Sequence, residues 1–332
     1  LVQARPPPAP RALRERLLRS ALLAVATRRS LFTPLVRLAQ ALRGSMPRAA
    51  MKFVPPRHAR TVAAARECAR PVRRMVVLEG CVQPGLAPQI NAAATRVLER
   101  LDIALVPAHE IGCCGAMDHH LGRVDTALDK VRRNVAAGAR RLDDGAEAII
   151  STASGCGVFA KDYGHVLRHA SPDLHRAGAR VAAATRDLCE VIDVASLARL
   201  HAARGAGGPR LRVAWQAPCS LQHGQHAATA GKVEAILEAV DCELVPVVNA
   251  TLCCGSAGTY SLLQPELSRE LRARKLASLM AAAPDVIATA NVGCLEHLRQ
   301  VSRVPVRHWI ELVDDALERG TAAGAQAVAT TT

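Results

Sequence analysis

Eight cysteines in this chain follow one pattern written twice. The first copy is Cys81, Cys113-Cys114-Gly115 and Gly155-Cys156; the second is Cys219, Cys253-Cys254-Gly255 and Gly293-Cys294. Matching cysteines are offset by 138, 140, 140 and 138 residues. Thiolates are soft ligands suited to zinc and iron–sulfur clusters, and each copy supplies the four that a [4Fe–4S] centre takes. Structural zinc sites favour two short Cys-x-x-Cys-type pairs, which this pattern lacks, so zinc ranks second. Glycines beside the thiols allow close backbone approach and sharp turns. Cys113-Cys114 and Cys253-Cys254 each precede a helical pattern, whose amino-terminal amides would stabilise thiolate charge.

The remaining candidates carry weaker signals. Cys68, Cys189 and Cys242 stand outside the repeat and read as buried apolar thiols. His119, His120, His223 and His297 lie close in sequence to the cysteines, and read as hydrogen-bond partners of sulfur or as surface positions more readily than as ligands. Lys161, Asp162 and Tyr163 follow Cys156 and receive no role. No paired carboxylates, Ser/His/Asp set or phosphate loop stands out.

The elements that must position the thiols also repeat. In the first copy, short apolar runs at Met75–Leu78, Ile103–Val106 and Ala148–Thr152 predict strands. Helical spacing over Pro88–Leu101 and Val124–Leu142 alternates with them. In the second copy the strands are Leu211–Trp215, Leu244–Val248 and Val286–Ala290, and the helices Lys232–Val240 and Leu267–Met280. Helices at Leu188–Leu200 and Trp309–Leu317 close the two halves. Such alternation predicts an α/β fold with parallel strands and right-handed crossovers. Ligands gather at the carboxyl ends of such strands, which is where the cysteines fall. The chain thus reads as two tandem, similar parallel-sheet cysteine-rich domains related by duplication, at 75–204 and 210–320. A basic amphipathic helical segment and proline-containing linker at 1–74 precede them, and a flexible tail at 321–332 follows. Gly205-Ala206-Gly207-Gly208 reads as the interdomain linker.

Charge is distributed unevenly. The net charge is +14, but residues 1–75 hold 17 Lys/Arg against Glu15 and Glu67, while the remainder is close to neutral. Helical stripes at Arg11–Ala26 and Ser30–Leu42 set leucines against arginines. With only seven aromatics in the chain, no stacking platform for nucleic acid exists. An anionic membrane surface or an acidic partner suits the basic segment better, and a solvated arginine-rich face in an Ala- and Arg-biased composition suits it equally well. No run approaches the length of a membrane span, and no secretory signal is present at the start. Eleven cysteines without an export signal argue for a reducing, cytoplasmic setting. The chain begins at Leu1, which suggests a natural start further upstream.

Gly112-Cys113-Cys114-Gly115 with Ser154-Gly155-Cys156-Gly157, and Leu252-Cys253-Cys254-Gly255-Ser256-Ala257-Gly258 with Ala290-Asn291-Val292-Gly293-Cys294, resemble the cysteine-rich CCG domains. These occur in heterodisulfide reductases, lactate-utilisation proteins and glycolate oxidase (glycolate dehydrogenase) iron–sulfur subunits. Ala153 to Gly157 followed by Lys161-Asp162-Tyr163-Gly164, and Thr289 to Cys294 followed by His297-Leu298, resemble the glycolate oxidase subunits in particular. The resemblance implies an electron-transfer subunit whose eight repeated cysteines hold iron–sulfur clusters, [4Fe–4S] foremost. It implies flavin-containing partner subunits, with FAD on those partners only, and electrons passed toward a membrane acceptor. Residues 11–43 would dock on those subunits or on the inner face of the cell membrane. The chain departs from the family in two ways. It carries no Cys-x-x-Cys-x-x-Cys runs of a ferredoxin-like domain, and the fifth cysteine of the heterodisulfide reductase pattern is Ala153 in one copy and Asn291 in the other. Two other classes stay open at this point: a thiol–disulfide enzyme, and a structural assembly subunit with zinc or empty sites.

Overall fold

The computed structural model describes residues 13–47, 51, 54–56, 73–203 and 210–329. The proline-rich start, Cys68 and the linker glycines lie outside them. The strands are β1 (Arg73–Leu78), β2 (Ile103–Pro107), β3 (Ala148–Ser151), β4 (Thr185–Asp187), β5 (Arg212–Gln216), β6 (Glu243–Leu244), β7 (Val286–Thr289) and β8 (Val306–His308). The longer helices are α1 (Leu13–Ala26), α2 (Arg29–Ala41), α3 (Gln89–Glu99), α4 (Val124–Asp143), α5 (Ser154–Lys161), α6 (Pro172–Ala184), α7 (Val194–Ala202), α8 (Lys232–Glu238), α9 (Pro265–Met280), α10 (Val292–Arg299) and α11 (Trp309–Ala329).

Two four-stranded sheets result, ordered β2-β1-β3-β4 and β6-β5-β7-β8. Every pairing is parallel. In the first sheet the chain leaves β1 toward one side, forms β2, then crosses back to β3 on the other side. The gap between the carboxyl ends of β1 and β3 is therefore a topological switch point, where parallel sheets open a crevice. The second sheet repeats this at β5 and β7.

Each sheet has two faces because side chains alternate along a strand. Met75 and Val77 enter a core shared with Trp215, Ile287, Leu298 and Trp309 of the second repeat. Val76 and Leu78 enter a separate core under α4, α5 and α6, with Val131, Phe159 and Val181. The two repeats are thus joined by common apolar burial. Helix α11 packs along α3 of the first repeat. There Asp314 (side chain 2% exposed) receives Arg96 Nε at 3.0 Å and Arg100 Nη1 at 2.8 Å.

Several sequence expectations are corrected. A short fourth strand closes each sheet, β4 and β8; three residues of mixed polarity give no periodic signal. Strand β6 stops after Glu243–Leu244 instead of reaching Val248, because Pro246 carries no amide hydrogen for a ladder. The helix expected over Leu188–Leu200 breaks into a short 3-10 turn at Leu188–Glu190 and α7, since Asp187 and Asp193 each cap a new start. Helix α11 continues to Ala329, past Leu317.

Candidate metal centres

Strand ends and the turns after them bring the four thiols of each copy together. Cys81 follows β1 and Cys156 follows β3, on opposite sides of the switch point. Gly80 (φ +74°) turns the chain between β1 and Cys81, and a Cβ placed on it would lie 3.7 Å from Cys156 Sγ. Cys113 and Cys114 arrive from the β2 side, so the thiols run in contact as Cys81, Cys113, Cys114 and Cys156. The second copy runs as Cys219, Cys253, Cys254 and Cys294, with Cys254 and Cys294 sulfurs 3.1 Å apart.

Each set contains one thiol held low in pKa. Hydrogen bonds from Cys114 and Cys81, reinforced by the Gly115 amide, bring Cys113 down to about 3 against the opposing effect of burial. Hydrogen bonds from Cys219 and Cys254 bring Cys253 down to about 2, and the Gly255 amide donates to its sulfur at 3.3 Å. The neighbours move the other way. Contact with Cys113 and burial push Cys81 and Cys114 well up. Contact with Cys253 does the same to Cys219 and Cys254, again with burial behind it. Within each set the contacts thus favour the thiolate on one cysteine and the thiol on its immediate neighbours, and ligation of a cation requires deprotonated sulfur.

A helix follows each cysteine pair, short in the first copy and set back in the second. Gly115 (φ +95°) leads only into the five-residue helix Ala116–His120. In the second copy Gly255, Ala257 and Gly258 all have positive φ, and no helix begins before Tyr260. Helix amino-termini carry the last cysteines: Cys156 lies in the first turn of α5 and Cys294 in that of α10. Asn291, at the fifth-cysteine position, caps α10 by accepting from the Gly293 amide at 3.3 Å. Ala153 is the residue before α5 and is buried.

Supporting residues escaped the sequence reading. Asn134 on α4 accepts from the Gly112 amide at 2.9 Å and donates to the Cys113 carbonyl at 2.9 Å. Tyr163, left without a role by its sequence, is buried and donates to the Cys114 carbonyl at 2.8 Å. In the second copy Ser268 donates to the Gly255 carbonyl at 2.8 Å and lies 3.2 Å from His297 Nε2. His297 is therefore a buried brace for the loop, while His120 and His223 are exposed. Lys161 pairs with Glu190. Cys189 and Cys242 are buried, with burial pushing both thiols up, Cys242 to about 11. Polar side chains deep in a helix face give no periodic signal, and only their partners reveal them.

The donor chemistry suits a sulfur-ligated cluster: four soft donors per set, next to tight glycine turns. Among the described residues, no three His, Cys, Asp or Glu groups surround a single point as ligands of one metal ion. The thiols form a contacting row, so a bound group would have to part them. The two sets lie near a common seam. Ser154 Oγ is 2.8 Å from Ser220 Oγ, the Ser154 amide donates to the Ala290 carbonyl at 3.2 Å, and Gln225 donates to the Ser154 carbonyl at 3.2 Å.

The family of cysteine-rich domains, CCG, matches residues 75–160 and 213–299. The glycolate oxidase iron-sulfur subunit of Escherichia coli (strain K12) is 42% identical over 310 residues, covering 93% of this chain and 74% of that protein. The probable glycolate oxidase iron-sulfur subunit of Bacillus subtilis (strain 168) is 28% identical, covering 68% of this chain and 49% of that protein. Lactate utilization protein A of Exiguobacterium is 25% identical, covering 72% and 96%.

Proposed function

The chain belongs to the cysteine-rich CCG-domain family, and to its branch of glycolate oxidase iron–sulfur subunits, and from that premise we propose that it is the electron-transfer subunit of a glycolate-oxidising complex. The observation that carries the reading is the gathering of Cys81, Cys113, Cys114 and Cys156, and of Cys219, Cys253, Cys254 and Cys294, into two thiol sets at the switch points of duplicated sheets. An iron–sulfur cluster, [4Fe–4S] foremost, would supply one-electron chemistry there when bound. The protein's part is ligation and insulation. Cys113 and Cys253 are the thiols whose surroundings favour the thiolate, the form in which cysteine ligates metal. Asn134, Tyr163, Ser268 and His297 hold the backbone of the paired cysteines, which fixes where the sulfurs can go.

Flavin-bearing partner subunits would oxidise the 2-hydroxy acid, with FAD confined to them, and this chain would pass the electrons toward a membrane acceptor. Helix α2 supports a docking role at the inner face of the cell membrane or on those subunits. Leu31, Leu35, Leu38 and Leu42 are 44–57% exposed beside exposed Arg28 and Arg37, while Phe32 and Arg29 anchor the helix to the body near Gly85 and Glu79. No helix among the described residues is long and apolar enough to cross a membrane.

The test is iron and acid-labile sulfide per chain, with EPR, on protein purified anaerobically. About four of each per set supports the reading. Cys114→Ser and Cys254→Ser should each abolish one cluster signal and electron transfer in the complex. Retention of both signals in the double variant would remove the ligand assignment. A chain that takes up no iron but forms a reducible Cys254–Cys294 disulfide would turn the reading to thiol–disulfide chemistry.

A further inference from the structure

The two thiol sets are built alike but are not surrounded alike. Helices α4 and α9 occupy the same place in the two repeats. A Cβ on Gly115 would meet the Ala127 carbonyl, and one on Gly255 the Ser268 carbonyl, so residues 127 and 268 correspond. One helical repeat further along, at the same offset, Asn134 corresponds to Lys275, and Lys130 to Leu271. Asn134 is neutral and both ends of its amide are bound to the cysteine loop. Lys275 carries an amine whose side chain is completely buried, 0% exposed; burial lowers its pKa, and the four neighbouring thiols oppose that by favouring the charged form.

The charge on Lys275 is not cancelled locally. Its ammonium donates to the Ala250 carbonyl at 2.6 Å, in the loop leading to Cys253. No ion pair of Lys275 with a carboxylate exists among the described residues. It also lies close enough to interact electrostatically with all four thiols, Cys219, Cys253, Cys254 and Cys294. The first set has a cation nearby as well, Lys130, but that one is paired to the fully buried Asp118, which Arg123 Nε also approaches at 3.7 Å. A buried charge with no partner acts strongly over short range, because little solvent screens it. Isolated buried cations are costly and persist where an anion offsets them. At Lys275 the anion on hand is the thiolate set itself.

We propose that Lys275 is a positioning and charge-compensating residue that makes the two sites electrically unequal, so that a cluster held by the second set takes up an electron more readily than one held by the first. The inference rests on the cluster reading above. Reduction adds one negative charge to a cluster, and an uncompensated cation alongside favours that state; a lysine already neutralised by Asp118 favours it less. Net charge and hydrogen bonding around a cluster are recognised controls of its potential. Duplicated sites with unequal affinity for the electron give the pair a direction, from the first set to the second.

The experiment is a reductive titration followed by EPR on the full chain loaded anaerobically with iron and sulfide. Cys114→Ser strips the first site and so identifies the wave of the second. In the unaltered chain the second-site wave should lie higher by at least a tenfold preference for the electron, about 59 mV for a one-electron couple. Lys275→Gln keeps a donor for the Ala250 carbonyl but removes the charge, and should lower the second-site wave by a similar amount without moving the first. Lys275→Arg should leave both in place. A Lys275→Gln titration that overlays the unaltered one overturns the proposal. So does a second-site wave at or below the first in the unaltered chain, a result that needs no variant to fold. A chain that takes up no iron fails differently: it removes the cluster reading itself, and this inference with it.

Discussion

Gly255→Ala is the substitution whose consequence the geometry sets most tightly. Gly255 has φ +85°, and an added Cβ would lie 2.5 Å from the Ser268 carbonyl oxygen and 3.1 Å from Leu271 Cβ. The first of these is backbone of α9 and cannot rotate aside, so the cysteine loop must move. Two other glycines provide the scale. Gly231 also has positive φ (+69°) but nothing within 4 Å, whereas Gly115 (φ +95°) would bring its Cβ only to 3.3 Å from the Ala127 carbonyl. A left-handed alanine alone costs about 1 kcal/mol, which is the whole expectation for Gly231→Ala. Gly115→Ala adds a mild contact and should reach about 1–2 kcal/mol. Gly255→Ala adds forced overpacking of about 1–3 kcal/mol, for a total of roughly 3 kcal/mol. By the usual scaling that lowers the melting temperature about 6–12 °C. The assay is thermal unfolding of the three variants in parallel, with alkylation of Cys253 as a local readout. Displacing Gly255 withdraws its amide from the Cys253 sulfur and moves the loop that carries the thiol, so the alkylation rate of Cys253 should change. A Gly255→Ala protein that melts together with Gly231→Ala and alkylates at the unaltered rate would refute the steric argument.

Asp314→Ala leaves Arg96 and Arg100 with the more distant Glu318, at 3.7 and 4.0 Å, and should destabilise by about 2–3 kcal/mol, read by urea unfolding. Replacing the arginines as well should recover part of that loss. Tyr163→Phe strips the Cys114 carbonyl of its donor, at about 1–2 kcal/mol, with a weaker cluster signal as the local readout. His308 is fully buried, and burial lowers its pKa to about 3, opposed in part by the carbonyls of Ala290 and Thr152. Because the folded value lies below the unfolded one, the unfolded chain binds the extra proton between about pH 6.5 and 3. Stability should therefore be lost as the pH is lowered through that window, by up to about 1.4 kcal/mol per unit. His308→Gln should remove this share of the slope in a pH series of unfolding curves. Vesicles of anionic lipid should retain the chain by α2, and Leu35→Glu with Leu38→Glu should release it in a flotation assay.

The duplicated cysteine spacing was enough to single out the thiols that the fold gathers. Four thiols per repeat, set after apolar runs, already placed eight candidate ligands at the carboxyl edge of a parallel sheet, because alternating strands and helices leave few other topologies. The strands that read well, such as Met75–Leu78 and Ala148–Thr152, are those buried on both faces, where the apolar run itself is the signal. The leucine stripe of Ser30–Leu42 was equally legible, since an amphipathic helix records its exposed and anchored sides locally.

What the sequence left undetermined depends on contacts between distant segments. β4 and β8 are three residues each and exist because β3 and β7 offer them an edge, not because their residues favour extension. The strand order decides that Cys81 and Cys156 face one another across a switch point, and no local pattern encodes order. Helix α11 packs on the other repeat's α3, so the halves share a core that a domain-by-domain reading treats as two. Asn134 and Lys275 occupy equivalent positions and are unremarkable in sequence; only folding binds each to a loop carbonyl and leaves Lys275 without a carboxylate partner among the described residues, beside four thiols. Local sequence sets which groups can bind a cluster, and long-range packing sets the field in which they would hold it.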